Sequence, residues 1–175
     1  FQKLNKQALL YHPTAKKTEQ SSLVIYLHGS GGSNKSISSM KWKGDSKHLL
    51  SSDQAQYNAK ILVPQSKKGW EPDELNKMLD YILKANPEID PKRVYCIGFS
   101  MGGKGTWNWA SHSPERFAAI IPMGFIPDYE NLNKMVTLPI WAMVGSKDSR
   151  PRVQGVPEMG KKLEELGSKV VKISV

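Results

Sequence analysis

The residue best suited to chemistry is Ser100, which stands at the centre of a Gly-x-Ser-x-Gly motif at 98–102. An apolar, β-rich run at 94–97 precedes the motif, and a helix-like segment rich in small residues follows it. This strand–turn–helix context distinguishes a nucleophile elbow from an ordinary glycine-rich turn. Gly98 and Gly102 suit such a turn because neither has a Cβ atom to collide with the neighbouring strand or helix. The pattern therefore predicts a catalytic serine at a helix N-terminus, where developing negative charge is stabilised.

A second glycine-rich segment could supply the oxyanion site that a serine nucleophile needs. The segment His28–Gly32 (H-G-S-G-G) follows directly on the apolar strand Leu23–Leu27. In hydrolases with this arrangement, one backbone N–H comes from such a loop and another from the residue after the nucleophile. Here these donors would be Ser30 and Met101, and the alternative is a tight turn that merely needs glycines. We expect His28 itself to hold the loop in place rather than to act as the base.

The acid of a catalytic triad is expected after a later strand of the same sheet. Asp148 follows the apolar strand 139–144, at the edge where the active-site loops of open α/β sheets meet. An Asx turn in a polar loop is the alternative interpretation of this aspartate. Asp128 and Glu130, which follow the preceding strand, are the fallback candidates. We predict that Asp148 orients the base.

The base is missing from this arrangement. The chain order in such hydrolases is serine, acid, histidine, but no histidine follows Asp148. The four histidines of the chain are His12, His28, His48 and His112. His112 closes the helix that begins after Ser100 and would lie at its far end, whereas His48 lies in a polar loop that could approach the site. The simplest expectation is that this chain lacks its C-terminal segment and that the catalytic histidine lies shortly beyond Val175.

Strands and helices alternate along most of the chain, which is typical of a parallel sheet with helices on both faces. We predict strands near 8–11, 23–27, 60–63 (ended by Pro64), 94–99, 118–122, 139–144 and 169–175. Helices are predicted at 71–86, from the serine to about 112, and before Gly167, while 30–58 is predicted to be a long loop with one or two short helices. The prediction is a single domain over 1–175, a three-layer α/β/α fold with a mostly parallel sheet and a minimal lid.

Composition argues against several classes of partner. The formal net charge of +9 suggests nucleic-acid binding, but the lysines are dispersed and no recognition motif accompanies them. No apolar stretch approaches the roughly 20 residues of a membrane helix. No cluster of His, Cys and Asp has ligand spacing, so we expect neither a metal nor a cofactor. The single cysteine, Cys96, excludes an internal disulfide.

The cellular compartment is only weakly indicated. Phe1 is not an initiator methionine, so a signal peptide, a tag or another segment is expected before it. The lysine-rich composition and the lone thiol favour a secreted or periplasmic protein, and a trimmed cytosolic chain is the alternative. The sequence supports no prediction of the oligomeric state.

Taken together, these residues resemble an α/β-hydrolase of the predicted-peptidase and carboxylesterase branch, which is related to polyhydroxybutyrate-depolymerase-like and feruloyl-esterase-like enzymes. The likeness covers roughly residues 23–175, and its most specific stretch is S-M-G-G-x-G-T-W from Ser100 to Trp107. Other matching stretches are L-H-G-S-G-G at 27–32, V-P-Q at 63–65, I-D-P-K-R-V-Y at 89–95, P-E-R-F-A-A at 114–119, and L-P-I-W at 138–141 with Gly145 and Asp148.

The resemblance implies that Ser100 is the nucleophile, that Asp148 orients the base, and that Ser30 and Met101 donate N–H groups to the oxyanion.

The resemblance also implies that the loop from Pro64 to Trp70 borders the substrate pocket, with Gln65 and Trp70 as wall residues. For Trp70, packing at the start of the following helix is the alternative.

The expected function is that of a serine hydrolase that cleaves a small, accessible carboxylic ester through an acyl-enzyme. A peptidase is less favoured, because a domain of this size has no obvious segment to enclose a peptide. Two alternatives belong to other classes. One is a non-catalytic hydrolase homologue that binds a ligand or partner, and the other is an acyltransferase on the same fold.

Overall fold

A mostly parallel sheet organises the computed structural model, which describes residues 4–12, 20–33, 35–40 and 59–175. Within these ranges the sheet has seven strands, in the order β1-β3-β2-β4-β5-β6-β7. The strands are β1 (Leu4–Tyr11), β2 (Ser21–Leu27), β3 (Ala59–Ser66), β4 (Ile89–Phe99), β5 (Ala119–Met123), β6 (Ile140–Met143) and β7 (Val171–Ser174). β1 pairs antiparallel with β3, and all other neighbours are parallel.

Four α-helices lie between these strands in the part of the chain that the structure describes. They are α1 (Ile37–Met40), α2 (Pro72–Ala85), α3 (Met101–His112) and α4 (Arg150–Glu165). Short 3-10 turns span Ser30–Gly32, Pro114–Arg116 and Tyr129–Met135. None of the described helices is long and apolar enough to cross a membrane.

The sequence of α2 explains why it forms and where it packs. Pro72 occupies the first turn, where its missing N–H costs nothing, and Asp73 and Glu74 complement the positive end of the helix dipole. Leu75 and Leu79 lie one turn apart and are both fully buried. The helix therefore presents one apolar face to the sheet.

The main hydrophobic core lies where α2, α3 and α4 pack on the sheet. It contains alternate residues of the central strands, such as Leu23, Ile25 and Leu27 of β2. A smaller cluster contains Tyr26 of the same strand, whose side chain points to the opposite face, and Ile37 of α1 packs against it. The predicted α/β architecture with a mostly parallel sheet is confirmed.

Four strands are longer than predicted: β1 begins at Leu4 and β2 at Ser21, and β3 and β4 are extended as well. β3 does not end at Pro64 but continues to Ser66. Its pairing with β2 ends at Leu62, and the rest of the strand pairs with β1, where Pro64 lies opposite Ala8. A proline is tolerated there since no N–H is needed towards β2.

β4 begins at Ile89, ahead of the predicted start at Val94. Ile89 pairs with Ser21, and a register shift then leads to the pair formed by Leu23 and Val94. Such an irregularity lets residues 90–93 enter the strand without matching the apolar alternation that predicts strands.

Candidate active site

Ser100 lies in the turn between β4 and α3, at the carboxyl edge of the sheet. Its φ of 54° and ψ of −114° make it the only non-glycine residue with a positive φ in the described ranges. The Ser100 N–H donates to the carbonyl of Met123 (2.9 Å), and the Ser100 carbonyl accepts from the N–H of Lys104 (2.9 Å). A conformation of this kind costs about 1–3 kcal/mol and persists only where its surroundings enforce it, most often at functional sites.

The glycines of the motif allow two strands and a helix to meet at this turn. A Cβ atom on Gly98 would overlap the carbonyl of Gly102, and one on Gly102 would overlap the carbonyl of Leu27. Any side chain at either position would therefore push the N-terminus of α3 away from β2 and β4. The close approach brings the first turn of α3 next to the end of β2.

The loop that follows β2 passes beside Ser100. A Cβ atom on Gly29 would lie 3.6 Å from the Cβ of Ser100. The next residues form the 3-10 turn Ser30–Gly32, in which the N–H of Gly32 donates to the carbonyl of Gly29 (2.9 Å). Met101 is the first residue of α3, so its N–H belongs to the helix-terminal amides that have no acceptor within the helix. Ser30, Met101 and Ser100 thus lie at one edge of the sheet, and the oxyanion role of the first two stays a prediction.

His28 uses both ring nitrogens to hold this loop. Its Nε2 accepts the backbone N–H of Ser66 (3.1 Å), so its Nδ1 must carry the proton that it donates to the carbonyl of Gly29 (2.7 Å). The side chain is only 3% exposed. These contacts agree with the expectation that His28 supports the loop.

Gln65 and Trp70 contact the same loop from the side of β3. Gln65 is fully buried, and its Nε2 donates to the carbonyls of Gly32 (3.1 Å) and Lys35 (3.2 Å). Trp70 is 5% exposed, its Nε1 donates to the carbonyl of His28 (3.1 Å), and its ring meets the imidazole edge-on. Both residues brace the loop, and their predicted place in the wall of a substrate pocket stays a prediction.

Asp148 lies in the turn between β6 and α4. Its Oδ1 accepts the N–H of Ser149 (2.7 Å) and an N–H of the Arg152 guanidinium (3.3 Å). Its Oδ2 lies 3.5 Å from the point where a Cβ atom on Gly124 would stand, and the ring of Phe99 lies 3.4 Å from the same point. Because Phe99 directly precedes Ser100, the carboxylate lies at the same edge of the sheet as the serine.

The fallback carboxylates and the histidines occupy other places. Asp128 is exposed before the 3-10 turn Tyr129–Met135, and the side chain of Glu130 lies outside the described part. His112 pairs with Asp73 (3.1 Å) at the C-terminal end of α3.

His12 follows β1 next to the start of β3, at the opposite edge of the sheet from Ser100. His48 falls outside the described residues. None of the histidines that the structure describes is therefore available as the base beside Ser100.

Cys96 is the other potential nucleophile near the turn, and its surroundings make it inert. It is fully buried, and burial raises the pKa of its thiol to about 12. Its Sγ lies 3.5 Å from the hydroxyl of Thr106. Since the thiolate is the reactive form, Cys96 does not compete with Ser100. Within the described ranges, no three His, Cys, Asp or Glu side chains are placed to hold a metal ion.

Sequence reasoning missed two residues at this edge. Phe99 is 45% exposed although it is aromatic, and its exposure follows from the turn geometry rather than from any sequence pattern. Arg152 pairs with Asp148, and the spacing of four residues between opposite charges was a signal that could have found it.

Comparisons with known proteins bear on the identity of this site. The model of the Dienelactone hydrolase family matches residues 51–173, more than two thirds of the chain, and this range includes both Ser100 and Asp148. A comparison with curated protein sequences gives no significant match.

Solved structures share the fold. A thermostable esterase is 25% identical with a TM-score of 0.76; the match covers 95% of this chain and 49% of that one, so this chain spans about half its length. A ferulic acid esterase is 14% identical with a TM-score of 0.73, covering 96% and 82% of the two chains. A phospholipase/carboxylesterase from Dyadobacter fermentans is 20% identical with a TM-score of 0.65, covering 99% and 88%. The extent of the family match leads to the conclusion that this chain belongs to the dienelactone hydrolase family of α/β-hydrolases.

Proposed function

We propose that this protein is a serine hydrolase that cleaves carboxylic esters, with Ser100 as the nucleophile. The observation that carries the proposal is the backbone of Ser100, whose positive φ is enforced by its packing and places the residue directly before the first turn of α3. Membership in a hydrolase family and the structural similarity to a thermostable esterase support this class of reaction.

The proposed reaction has two halves. In the first, the Ser100 Oγ attacks the ester carbonyl carbon while its proton passes to a histidine, and the N–H groups of Ser30 and Met101 stabilise the oxyanion. The C–O bond then breaks, the alcohol leaves with that proton, and an acyl-serine remains. In the second half, water attacks the acyl-serine in the same way, which releases the carboxylic acid and restores the serine.

We propose that the base is a histidine beyond Val175, oriented by Asp148. Among the described residues, the hydrogen bonds to the Asp148 carboxylate end on Oδ1, which leaves Oδ2 for an imidazole. This oxygen and the exposed ring of Phe99, which directly precedes Ser100, lie 3.5 and 3.4 Å from the point where a Cβ atom on Gly124 would stand. In this proposal, the imidazole lies at the same edge of the sheet and contacts both Oδ2 of Asp148 and the hydroxyl of Ser100.

A fluorophosphonate probe and a p-nitrophenyl ester test the nucleophile in the full-length protein. The wild type should acquire one probe adduct by intact-mass spectrometry, and Ser100→Ala should lose the adduct and lower kcat by at least about 10³-fold. Ser111→Ala is a matched control, because Ser111 lies on the same helix and its hydroxyl donates to the carbonyl of Asn108 in that helix. An adduct or an ester hydrolysis rate that survives Ser100→Ala would contradict the proposal.

A further inference from the structure

The loop after β2, which carries the proposed oxyanion donor Ser30, has an entry at His28 and an exit at Gly32. One buried side chain anchors its exit. Gln65, near the end of β3, is fully buried, and both hydrogens of its amide nitrogen are used. They bond to the carbonyls of Gly32 (3.1 Å) and Lys35 (3.2 Å). Gly32 closes the 3-10 turn that begins at Ser30, so the amide holds the end of that turn against β3.

The orientation of the Gln65 amide follows from its partners. Both are carbonyl oxygens, which only accept hydrogen bonds, so the amide nitrogen must face them. The Oε1 atom then points elsewhere and, among the described residues, finds no donor although it is buried. Burying an unpaired acceptor is unfavourable, and an apolar side chain of similar volume would avoid it. The two hydrogen bonds to the loop, rather than core packing, therefore account for a glutamine at this position.

The entry of the loop is held from the same side. The backbone N–H of Ser66 donates to His28 Nε2, and the indole N–H of Trp70 donates to the His28 carbonyl. β3 and the residues after it thus form hydrogen bonds to the loop at His28 and again at Gly32, and Ser30 lies between these two contacts. A loop fixed at both ends can present its central N–H in one position.

We propose that Gln65 is a positioning residue, which fixes the N–H of Ser30 at the oxyanion by holding the exit of this loop. The inference rests on the proposed function of Ser100. An oxyanion donor acts only when it lies about 2.7–3.1 Å from the developing charge, and a misplacement of about 1 Å can cost about 10²-fold in rate. Gln65 does not touch the substrate in this role, so it affects kcat through the loop.

Gln65→Met tests this role because methionine keeps the volume and removes both donors. We measure kcat and KM for an ester and for the matching thionoester, whose sulfur is a poor hydrogen-bond acceptor. In Gln65→Met, kcat for the ester should fall about 10–100-fold with KM changed by less than about twofold. The ratio of ester to thionoester rates should fall as well. This ratio does not depend on the fraction of folded protein, so a loss of stability alone leaves it unchanged.

Two further variants make the test decisive. Gln65→Leu also removes both donors while keeping an apolar side chain of similar volume, and it should lower the ratio in the same direction, also where Gln65→Met does not fold. Asn76→Leu is the control, since Asn76 bonds to Trp109 and Ser113 at the C-terminal end of α3. It should lower stability and leave the ratio unchanged.

The outcomes separate this inference from the proposed function. If Ser100→Ala abolishes hydrolysis while Gln65→Met, or Gln65→Leu in its place, keeps the wild-type ratio, the positioning role is wrong and the serine mechanism stands. If hydrolysis survives Ser100→Ala, the proposed function itself is wrong.

Discussion

The turns that carry Ser100 and Asp148 lie at the same edge of one sheet, yet they are built differently. In the β4–α3 turn, a Cβ atom on Gly98 or Gly102 would overlap a backbone carbonyl. In the β6–α4 turn, a Cβ atom on Gly145 would meet nothing within 4 Å. The Asp148 side chain is 23% exposed, and its partner Arg152 is 33% exposed. The first turn is packed against backbone at both of its glycines, and the second is open around its glycine.

The difference shows which constraints act on each turn. Residue types in the serine turn are dictated by packing, because a strained Ser100 survives only when strand, helix and the Met123 carbonyl all hold it. Packing restricts the residue types in the aspartate turn less, because a Cβ atom on Gly145 would displace no neighbour. Substitutions in the first turn should therefore affect folding, and those in the second should affect activity.

The largest expected effect is on activity at the open turn. Asp148→Asn keeps the shape of the side chain and removes the charge that would orient and stabilise an imidazolium, so we expect kcat to fall about 10⁴-fold. The free energy of unfolding should change by less than about 1 kcal/mol, because the ion pair with Arg152 is partly exposed. Ester kinetics and urea unfolding measure both quantities. A kcat within about tenfold of the wild type would remove Asp148 from the proposed mechanism.

The next largest effect is on stability at the packed turn. Gly102→Ala places a methyl group against the carbonyl of Leu27, which belongs to rigid backbone, so the free energy of unfolding should fall by at least about 3 kcal/mol. Gly145→Ala is the matched control and should change it by less than about 1 kcal/mol. Urea unfolding followed by circular dichroism makes the comparison. Equal losses in the two variants would show that the two turns are not packed differently.

A third effect, smaller per pH unit than the loss expected for Gly102→Ala, concerns how far the packing extends below the serine turn. Burial raises the pKa of Cys96 from 9.0 to about 12. Because the folded pKa lies above the unfolded value, the protonated thiol contributes fully to stability below pH 9, and this contribution is lost as the pH rises towards 12.

Over that range, the free energy of unfolding of the wild type should fall more steeply with pH than that of Cys96→Ala, by up to about 1.3 kcal/mol per pH unit. Denaturant unfolding at a series of pH values measures the two slopes. Parallel slopes would mean that the thiol ionises as readily in the folded protein as in the unfolded chain. The packing around β4 would then not exclude water beneath the turn.

Much of this fold could be predicted from short stretches of sequence. The strands that carry the main hydrophobic core, the amphipathic α2 and the turn at Ser100 were all predicted. Each depends on contacts within a few residues or on the regular spacing of apolar residues. The end of β3 was predicted wrongly at Pro64, since a proline breaks a strand only where a neighbour needs its N–H. The start of β4 was missed because pairing with Ser21, and not apolar alternation, defines it.

Local sequence was enough to identify the candidate nucleophile, the glycines around it, and the order of strands and helices along the chain. The assembled sheet was needed to show that Gln65 and His28 use their polar atoms on the loop beside Ser100, and that Phe99 and Asp148 both lie beside Gly124. The two kinds of information differ because the interactions differ in range. Steric limits on a turn and the period of a helix act between near neighbours. A hydrogen bond between β3 and the loop after β2 requires these two strands to lie side by side in the sheet.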